Sequence, residues 1–421
     1  MTPSPAAFDT VLDHAVMPDG RAASIGLARG RIAAIAADDG ALGPANERID
    51  LGFALLVPGL VDGHVHLDTT FLGDVWRPHQ PCSSGFSVAE RLAIQKDWIR
   101  KGAPVEQRAA ALIERAVACG TTTMRTHVEI DVDLGLDMLA RIVALRERYR
   151  DAISIQIVGL ARGLVCRPGT LELMEEAMRC GVEIVGGVDP ASFEGDVALH
   201  LDRVFGLAER FATGVDIHLH DFGLLGLFQL DAVAERTEAL GMQGRVAVAH
   251  AYALGSSPDH AVRSTGDGLA KAGVAIMTNA PGNLPIPPIL TLRDAGVTVF
   301  AGNDDIRDSW WPYGDADMLQ RAMMIGYRSG FYTDEHLTLA FDLITRNAAA
   351  ALGISDHGLR VGAAADLVVL AAQHVPEAVV ARPPRRTVIR SGRMVASGGI
   401  YCGPGATGLL ADPNARSGNR G

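Results

Sequence analysis

A chain of 421 residues with 48% hydrophobic content can bury a large α/β barrel plus a satellite domain, and no apolar run reaches the eighteen residues of a membrane span. The net charge of -11 argues against nucleic acid or an anionic membrane surface as the main partner, though a local site can still oppose it and take a small anionic substrate. Five cysteines, Cys82, Cys119, Cys166, Cys180 and Cys402, show no close pairing, and Met1 to Thr10 lacks a basic-then-apolar leader, so a cytoplasmic protein with reduced thiols is expected.

Residues Phe8 to Ile49 read as short strands broken by turns. Asp19-Gly20 is a hairpin signal, and Gly26 to Ile35 is a strand pair around Arg29-Gly30. Between Ala54 and Gly353, apolar runs alternate with amphipathic helical stretches. The runs are Ala54–His66, Thr121–Ile130, Ser154–Ala161, Glu183–Asp189, Val215–His220, Arg245–Ala251, Val274–Ala280 and Val297–Asp304. Ser87-Val-Ala-Glu90 has the capping-box pattern, and Thr333 to His336 opens a last long helix that runs into Ala348–Ala351. Near-continuous apolar strands separated by helices predict a parallel sheet, and eight such units predict a (β/α)₈ TIM-type barrel over residues 58–354. A doubly wound open sheet is the alternative, disfavoured because no Gly-rich dinucleotide loop follows the first strand. The strand-turn-strand texture returns at Ala365–Leu370 and Thr387–Val395, so 1–57 and 355–402 are expected to form one small β-sandwich domain. Residues 403–421, rich in Gly, Pro, Ser and Asn, read as a flexible tail.

Such a barrel carries its chemistry at the strands' C-terminal ends. Every one of the eight runs ends there in a polar group: His64 and His66, His127 and Glu129, Arg162, Asp189, His218 with His220 and Asp221, His250, Asn279, and Asp304 with Asp305. His64 and His66 alone could be a satisfied polar pair. Residues two apart on a strand point the same way, however, and unrelated core histidines would scatter over both barrel ends. Three imidazoles, His64, His66 and His218, with the Asp304 carboxylate suit Zn²⁺ or Fe²⁺ and leave a position for water. A two-metal centre of this kind uses a carboxylated lysine on a strand. The only lysines, Lys96, Lys101 and Lys271, sit in helical stretches, so one divalent ion is expected.

Pro58-Gly-Leu-Val-Asp-Gly-His64-Val-His66, the later His218-Leu-His220-Asp221, His250 and Asp304 together resemble the amidohydrolase superfamily over nearly the whole chain. His64 to Thr70 and Asp304 to Gly314 look like its cytosine deaminase branch. Gly186 to Pro190 and His218 to Gly223 look closer still to the N-isopropylammelide isopropylamidohydrolases, which remove an alkylamine from an s-triazine ring. The resemblance implies a metal-dependent hydrolase that removes an amino or alkylamino group from a cytosine-, pterin- or triazine-like heterocycle. Asp304 would take the proton of the attacking water and His250 would face the developing oxyanion. His220, with Asp221, would pass a proton to the departing nitrogen. Asp189, Asp305 and Trp310 are the expected contacts to the ring's edge and face, and His127 is either support for the ligands or plain structure.

Two positions depart from the branch. Asp221 stands where cytosine deaminases carry Glu, and Arg162 stands near a Gln of both relatives. An arginine offers only donors, so it favours a carboxylate or two adjacent carbonyl oxygens, unless it folds away to an acidic neighbour. Ring opening of a cyclic amide is the rival enzymatic reading, and a barrel scaffold without catalysis the non-enzymatic one. The expected partner is a small heterocycle, with no nucleic acid or membrane, and homo-oligomer formation through the outer helices stays open.

Overall fold

The structure, a computed structural model, describes residues 7–37, 42–84 and 87–408. Strands β1 (Phe8–Val16), β2 (Ala22–Ala28), β3 (Arg31–Ala37) and β4 (Ala45–Pro58) open the chain. There follow β5 (Leu60–Val65), β6 (Thr121–Ile130), β7 (Ser154–Ala161), β8 (Ile184–Val188), β9 (Gly214–Leu219), β10 (Val246–His250), β11 (Val274–Thr278) and β12 (Val299–Ala301), with helices between them. Strands β13 (Leu367–Leu370), β14 (Arg385–Arg390), β15 (Arg393–Ser397) and β16 (Ile400–Tyr401) end it.

Strands β5 to β12 pair in chain order, each pair parallel. The ring closes where Asp304 N donates to His64 O at 2.7 Å, beside a parallel bridge between Val65 and Asp304. This is the eight-stranded α/β barrel expected from the alternation. Its strands are buried on both faces because helices cover the outside and side chains such as Val61, Met277 and Phe300 fill the inside. Among the described residues no helix is long and apolar enough to cross a membrane.

The two ends of the chain form one further sheet, ordered β16-β15-β14-β13-β4-β1-β2-β3. It folds over on itself. The far edge strand β3 returns to the segment before β13, with Ile32 N donating to Ala363 O at 3.0 Å and Gly362 N to Ile32 O at 2.8 Å. A core of its own, including Leu12, Ile25, Leu56, Leu367 and Val369, lies inside that fold.

Four local expectations need correction. The apolar run Ala54–His66 is two strands, since Pro58-Gly59 carries the chain from one sheet to the other. Gly59 N donates to Asp366 O in the terminal sheet and Leu60 N to Gly120 O ahead of β6, and a Cβ at Gly59 would lie 2.1 Å from Thr122 Oγ1. Ser87 does accept from Glu90 N, but the Glu90 carboxylate turns to Ser83, so only half of the capping box forms. The last long helix breaks at Thr345, whose φ of -133° and ψ of -100° are not helical, giving Asp334–Leu343 and Arg346–Ala351. Residues 403–408 are not loose: Thr407 N and Oγ1 donate to Glu114, and Arg148 donates to Gly405 O. Residues 409–421 lie outside the described residues.

Candidate metal centre and its surroundings

β5 delivers His64 and His66 into the barrel mouth, both almost fully buried. His64 Nε2 and His66 Nε2 each lie 3.4 Å from Asp304 Oδ1, and His218 Nε2 lies 3.5 Å from His66 Nε2. Donors about 2.1 Å from a shared tetrahedral centre stand about 3.4 Å apart, so these spacings fit one small cation. His250, from the end of β10, joins the group: His64, His218, His250 and Asp304 each offer an atom within 4.8 Å of the others. His64 Nε2, which faces Asp304 Oδ1, and both nitrogens of His250 are buried with no hydrogen-bond partner. Orphaned buried imidazole nitrogens are costly without a partner, and a metal ion supplies one. A buried cluster of His and Asp suited to a metal is therefore present.

Protonation fits the same use. Burial, then the neighbouring imidazoles, hold His218 and His250 well below the usual histidine value, so both are neutral. Burial works against an ionised Asp304, but His250, His64 and His66 outweigh it and hold its carboxyl well below the usual range. Neutral imidazoles around a carboxylate are the forms that bind metal. Asp304 Oδ2 accepts from Asn279 Nδ2 at 2.6 Å, which turns Oδ1 to the histidines. Behind Asn279, Arg321 donates to the carbonyls of Asn279 and Asn303, pinning the ends of β11 and β12 together. Asp189, His250 and Asp304 have φ of 40°, 69° and 62°, in the left-handed region that costs about 1–3 kcal/mol outside glycine. Their side chains are turned into the mouth by that backbone.

His127 lies beneath the cluster. It is fully buried, its ring 3.8 Å from that of His64, and its Nε2 is 3.9 Å from Asp216 Oδ2. Asp216 in turn accepts from Arg125 Nη1 at 2.7 Å, deep in the barrel.

The outer ring of residues is arranged differently from the sequence-based expectation. Asp189 does not present its carboxylate to open space. Oδ1 accepts from His220 N at 2.7 Å and Oδ2 lies 2.8 Å from His220 Nδ1. His220 takes up both of its oxygens because β8 and β9 are neighbours and Val188 pairs with His218. Burial lowers the basicity of His220, but the Asp189 charge and hydrogen bond outweigh it, so the ring is held above its ordinary value. The His220 ring stacks on His250 at 4.5 Å, and its side chain is 40% exposed, on the open side of the cluster. Asp221 points away: Oδ2 accepts from Gln229 Nε2 at 2.9 Å, on the helix Gly223–Ala239. His220 and Asp221 both follow the end of β9, and their side chains take different partners, Asp189 for His220 and Gln229 for Asp221.

Arg162 follows β7 and donates from Nε to Glu129 Oε1 at 2.7 Å. Glu129 Oε2 accepts from Gln95 Nε2 at 2.9 Å, and Gln95 Oε1 accepts from Trp310 Nε1. The Arg162 guanidinium lies 5.7 Å from the centre of the Trp310 ring. Trp310 is held by its backbone, Asp308 Oδ1 accepting from both Trp310 N and Trp311 N at 2.8 Å. Asp305 lies near His66 and Asp304; burial, then Asp308 and Asp304, push its carboxyl well above the usual range.

Sequence reasoning missed Gln95, Glu194 and Tyr252, and it left Glu129 without a role. Tyr252 packs its ring 5.7 Å from His220 and 5.6 Å from His250. Glu194 carries the turn after Arg162. Its two oxygens accept from Gly163 N, Leu164 N, Val165 N and Cys166 N at 2.7–3.2 Å. Burial opposes ionisation, but His200 and these four donors bring its carboxyl down to about 2. No sequence signal marks it, since its partners are backbone groups. An ordinary glutamate titrates near 4.3 when unfolded, so this depressed group stabilises the fold fully above that value and loses its contribution as pH falls towards about 2. Glu194→Gln is therefore expected to lower Tm at pH 7, with the gap to wild type narrowing once pH drops below about 4.3. Melting curves taken at stepwise lower pH check this, and a gap that widens on acidification would contradict it.

Comparison with known proteins agrees with this architecture. A model of the amidohydrolase family matches residues 107–396. The N-isopropylammelide isopropyl amidohydrolase of Pseudomonas sp. (strain ADP) is 31% identical over 396 residues, covering 92% of this chain and 97% of that protein. The crystal structure of N-isopropylammelide isopropylaminohydrolase from Burkholderia multivorans superposes with a TM-score of 0.88 at 38% identity, over 93% of this chain and 99% of that one. The 5-methylcytosine deaminase of Klebsiella pneumoniae shares the fold, with a TM-score of 0.81 at 24% identity over 91% of this chain and 97% of that one. With most of its length matched in sequence and in fold, the chain belongs to the amidohydrolase family, enzymes that hydrolyse carbon–nitrogen bonds other than peptide bonds.

Proposed function

We propose that this amidohydrolase removes an amino or alkylamino group from a nitrogen heterocycle of the cytosine, pterin or triazine type, using one divalent ion, Zn²⁺ or Fe²⁺, held by His64, His66, His218 and Asp304. The observation that carries the reading is the approach of His64 Nε2 and His66 Nε2 to 3.4 Å from Asp304 Oδ1, and of His218 Nε2 to 3.5 Å from His66 Nε2, in a buried setting. A single ion is supported by the lysines, each of which is paired with acids elsewhere: Lys96 with Asp131 and Asp133, Lys101 with Asp97, Lys271 with Glu238. The likeness to two N-isopropylammelide-hydrolysing relatives supports the heterocyclic substrate class.

When bound, such an ion lowers the pKa of a coordinated water towards neutrality and polarises the carbon under attack. The side chains supply the proton traffic. Asp304, kept ionised by its imidazole neighbours, accepts the proton that the attacking water gives up. His250, neutral and buried, is placed to donate to the oxygen that develops charge. His220 is fixed in tautomer and direction by Asp189 and stands on the open side, where it passes a proton to the departing nitrogen. Relay of this kind contributes roughly 10²–10⁴-fold.

A panel of aminopyrimidines, pterins and N-alkylaminotriazines, assayed on zinc- and iron-loaded protein, tests the reading. Release of ammonia or alkylamine with the ring spectrum intact is expected for at least one class. Ring opening without amine release would instead favour a cyclic amide hydrolase. Protein that retains no metal after purification in zinc would sink the proposal.

A further inference from the structure

We propose that Arg162 reads an anionic edge of the substrate, its two terminal nitrogens donating to a pair of adjacent acceptors: a ring carboxylate, or the oxygen and nitrogen of a deprotonated imide. This deepens the function proposed above and rests on it. The argument begins with how the guanidinium is held. A guanidinium has five N–H groups in a planar fork. The Nε–H is fixed on Glu129 Oε1, and one face lies over Trp310. Glu129 is itself immobilised by Gln95, which Trp310 holds in turn. The side chain is therefore set in place from one edge and one face, and it is only 12% exposed. Among the described residues nothing accepts from Nη1 or Nη2 of Arg162.

That is unusual for an arginine so enclosed in this protein. Arg321 directs both terminal nitrogens to the carbonyls of Asn279 and Asn303. Arg125 directs them to Asp216 and Ala351, and Arg385 to Pro383 and Asp317. Neither terminal nitrogen is a buried orphan, so the fork opens to the solvent of the barrel mouth, where a ligand's charge-assisted hydrogen bonds can replace those of water. The unmet edge lies at the same end of the barrel as the candidate centre, since Arg162 follows the C-terminal end of β7 as His220 follows that of β9. A substrate whose leaving amine sits at His220 would thus bring its far edge to the Arg162 fork. Glu129 already balances the net charge of Arg162, so the selection comes from direction and donor count rather than from bulk positive potential.

Two aminopyrimidinones with the same leaving amine, one bearing a ring carboxylate and one bearing hydrogen there, provide the test on metal-loaded enzyme. Wild type is expected to favour the carboxylated ring in kcat/KM, and Arg162→Gln to reduce that preference about 100-fold, mainly through KM. Arg162→Lys, which keeps the charge without the fork, should fall between. An acidic aminotriazinedione assayed above and below its ring pKa tells the imide edge from the carboxylate. Calorimetric titration with a pyrimidine carboxylate that carries no amine gives a readout independent of turnover. It should bind wild type and bind the Arg162→Gln variant about 100-fold more weakly. A preference or an affinity left within threefold of wild type in that variant would overturn the assignment. If no heterocycle on the panel yields amine, the hydrolytic reading fails, while the titration still decides what Arg162 does.

Discussion

Asp304→Asn is expected to lower kcat by about 10³-fold or more on whichever heterocycle the panel identifies, and to reduce metal retention. The carboxylate does two things that an amide of the same size cannot do together. Oδ1 faces His64 and His66 at 3.4 Å, while Oδ2 accepts from Asn279 Nδ2 at 2.6 Å. An amide has one acceptor and one donor. Turned one way, its NH₂ faces the imidazoles that would bind the ion. Turned the other way, it meets the Asn279 NH₂ donor to donor. In both orientations it has lost the charge that balances a divalent cation and the basicity that takes a proton. Metal content by mass spectrometry and initial rates of amine release measure the two effects, with the melting temperature as a check that the barrel is intact. An asparagine variant that turned over within a few-fold of wild type would remove Asp304 from the mechanism.

Gly302→Ala should damage the same site without altering any functional group. A Cβ at Gly302 would stand 2.5 Å from His64 Cβ, 2.6 Å from His64 N and 2.6 Å from His64 O. These are largely backbone atoms of a buried strand and cannot swing aside. β12 must then move off β5, breaking the 2.7 Å hydrogen bond from Asp304 N to His64 O that closes the ring. It also strains Asp62, a buried carboxylate with a pKa pushed up to about 6, whose oxygens accept from Asn303 N and Nδ2 at 2.9 and 2.7 Å. Overpacking of this kind costs about 1–3 kcal/mol, and the displacement separates His64 from Asp304. Both a lowered Tm and a loss of bound metal are expected. Gly268→Ala, on the helix Asp259–Ala272 where a Cβ would meet nothing within 4 Å, is the control and should stay at or slightly above wild-type stability. Full metal retention in Gly302→Ala would show that the close contact at the ring's seam is not needed.

The barrel was legible because its signal is local and repeated. Seven of the eight apolar runs contain a barrel strand and the eighth, Val215–His220, overlaps β9 with a shift of one residue, while β6 and β7 match their runs end for end. The first run misled because apolarity continues through Pro58-Gly59 while the hydrogen-bonding partners change, and a run of hydrophobic residues carries no record of which sheet it joins. The last run overshot for a related reason: β12 is only Val299–Ala301, and the chain past Gly302 is positioned by Asp62 and Arg321 rather than by a ladder.

At the mouth, strand periodicity put His64 with His66 and His218 with His220, and it applies without knowing any neighbour. The roles of the carboxylates were a different matter. Asp189, expected against a substrate ring, is taken up by His220, and Asp221, expected as a proton carrier, is taken up by Gln229. Arg162 donates from Nε to Glu129, so the acidic neighbour that its sequence position allowed is present for that edge of the guanidinium.

By itself, then, the chain's sequence determined the barrel, the terminal sheet and the end of the barrel at which the ionisable groups gather, because these follow from periodicities of two and of about 3.6 that each segment carries internally. Only the tertiary structure decided which acid serves which base. Those partners come from strands and loops tens to hundreds of residues apart, as with Asn279 and Asp304, Glu129 and Arg162, or Glu194 and the turn at 163–166. A hydrogen bond is a matter of a few tenths of an ångström, and that distance is fixed by the register and closure of the ring, not by the identity of either residue.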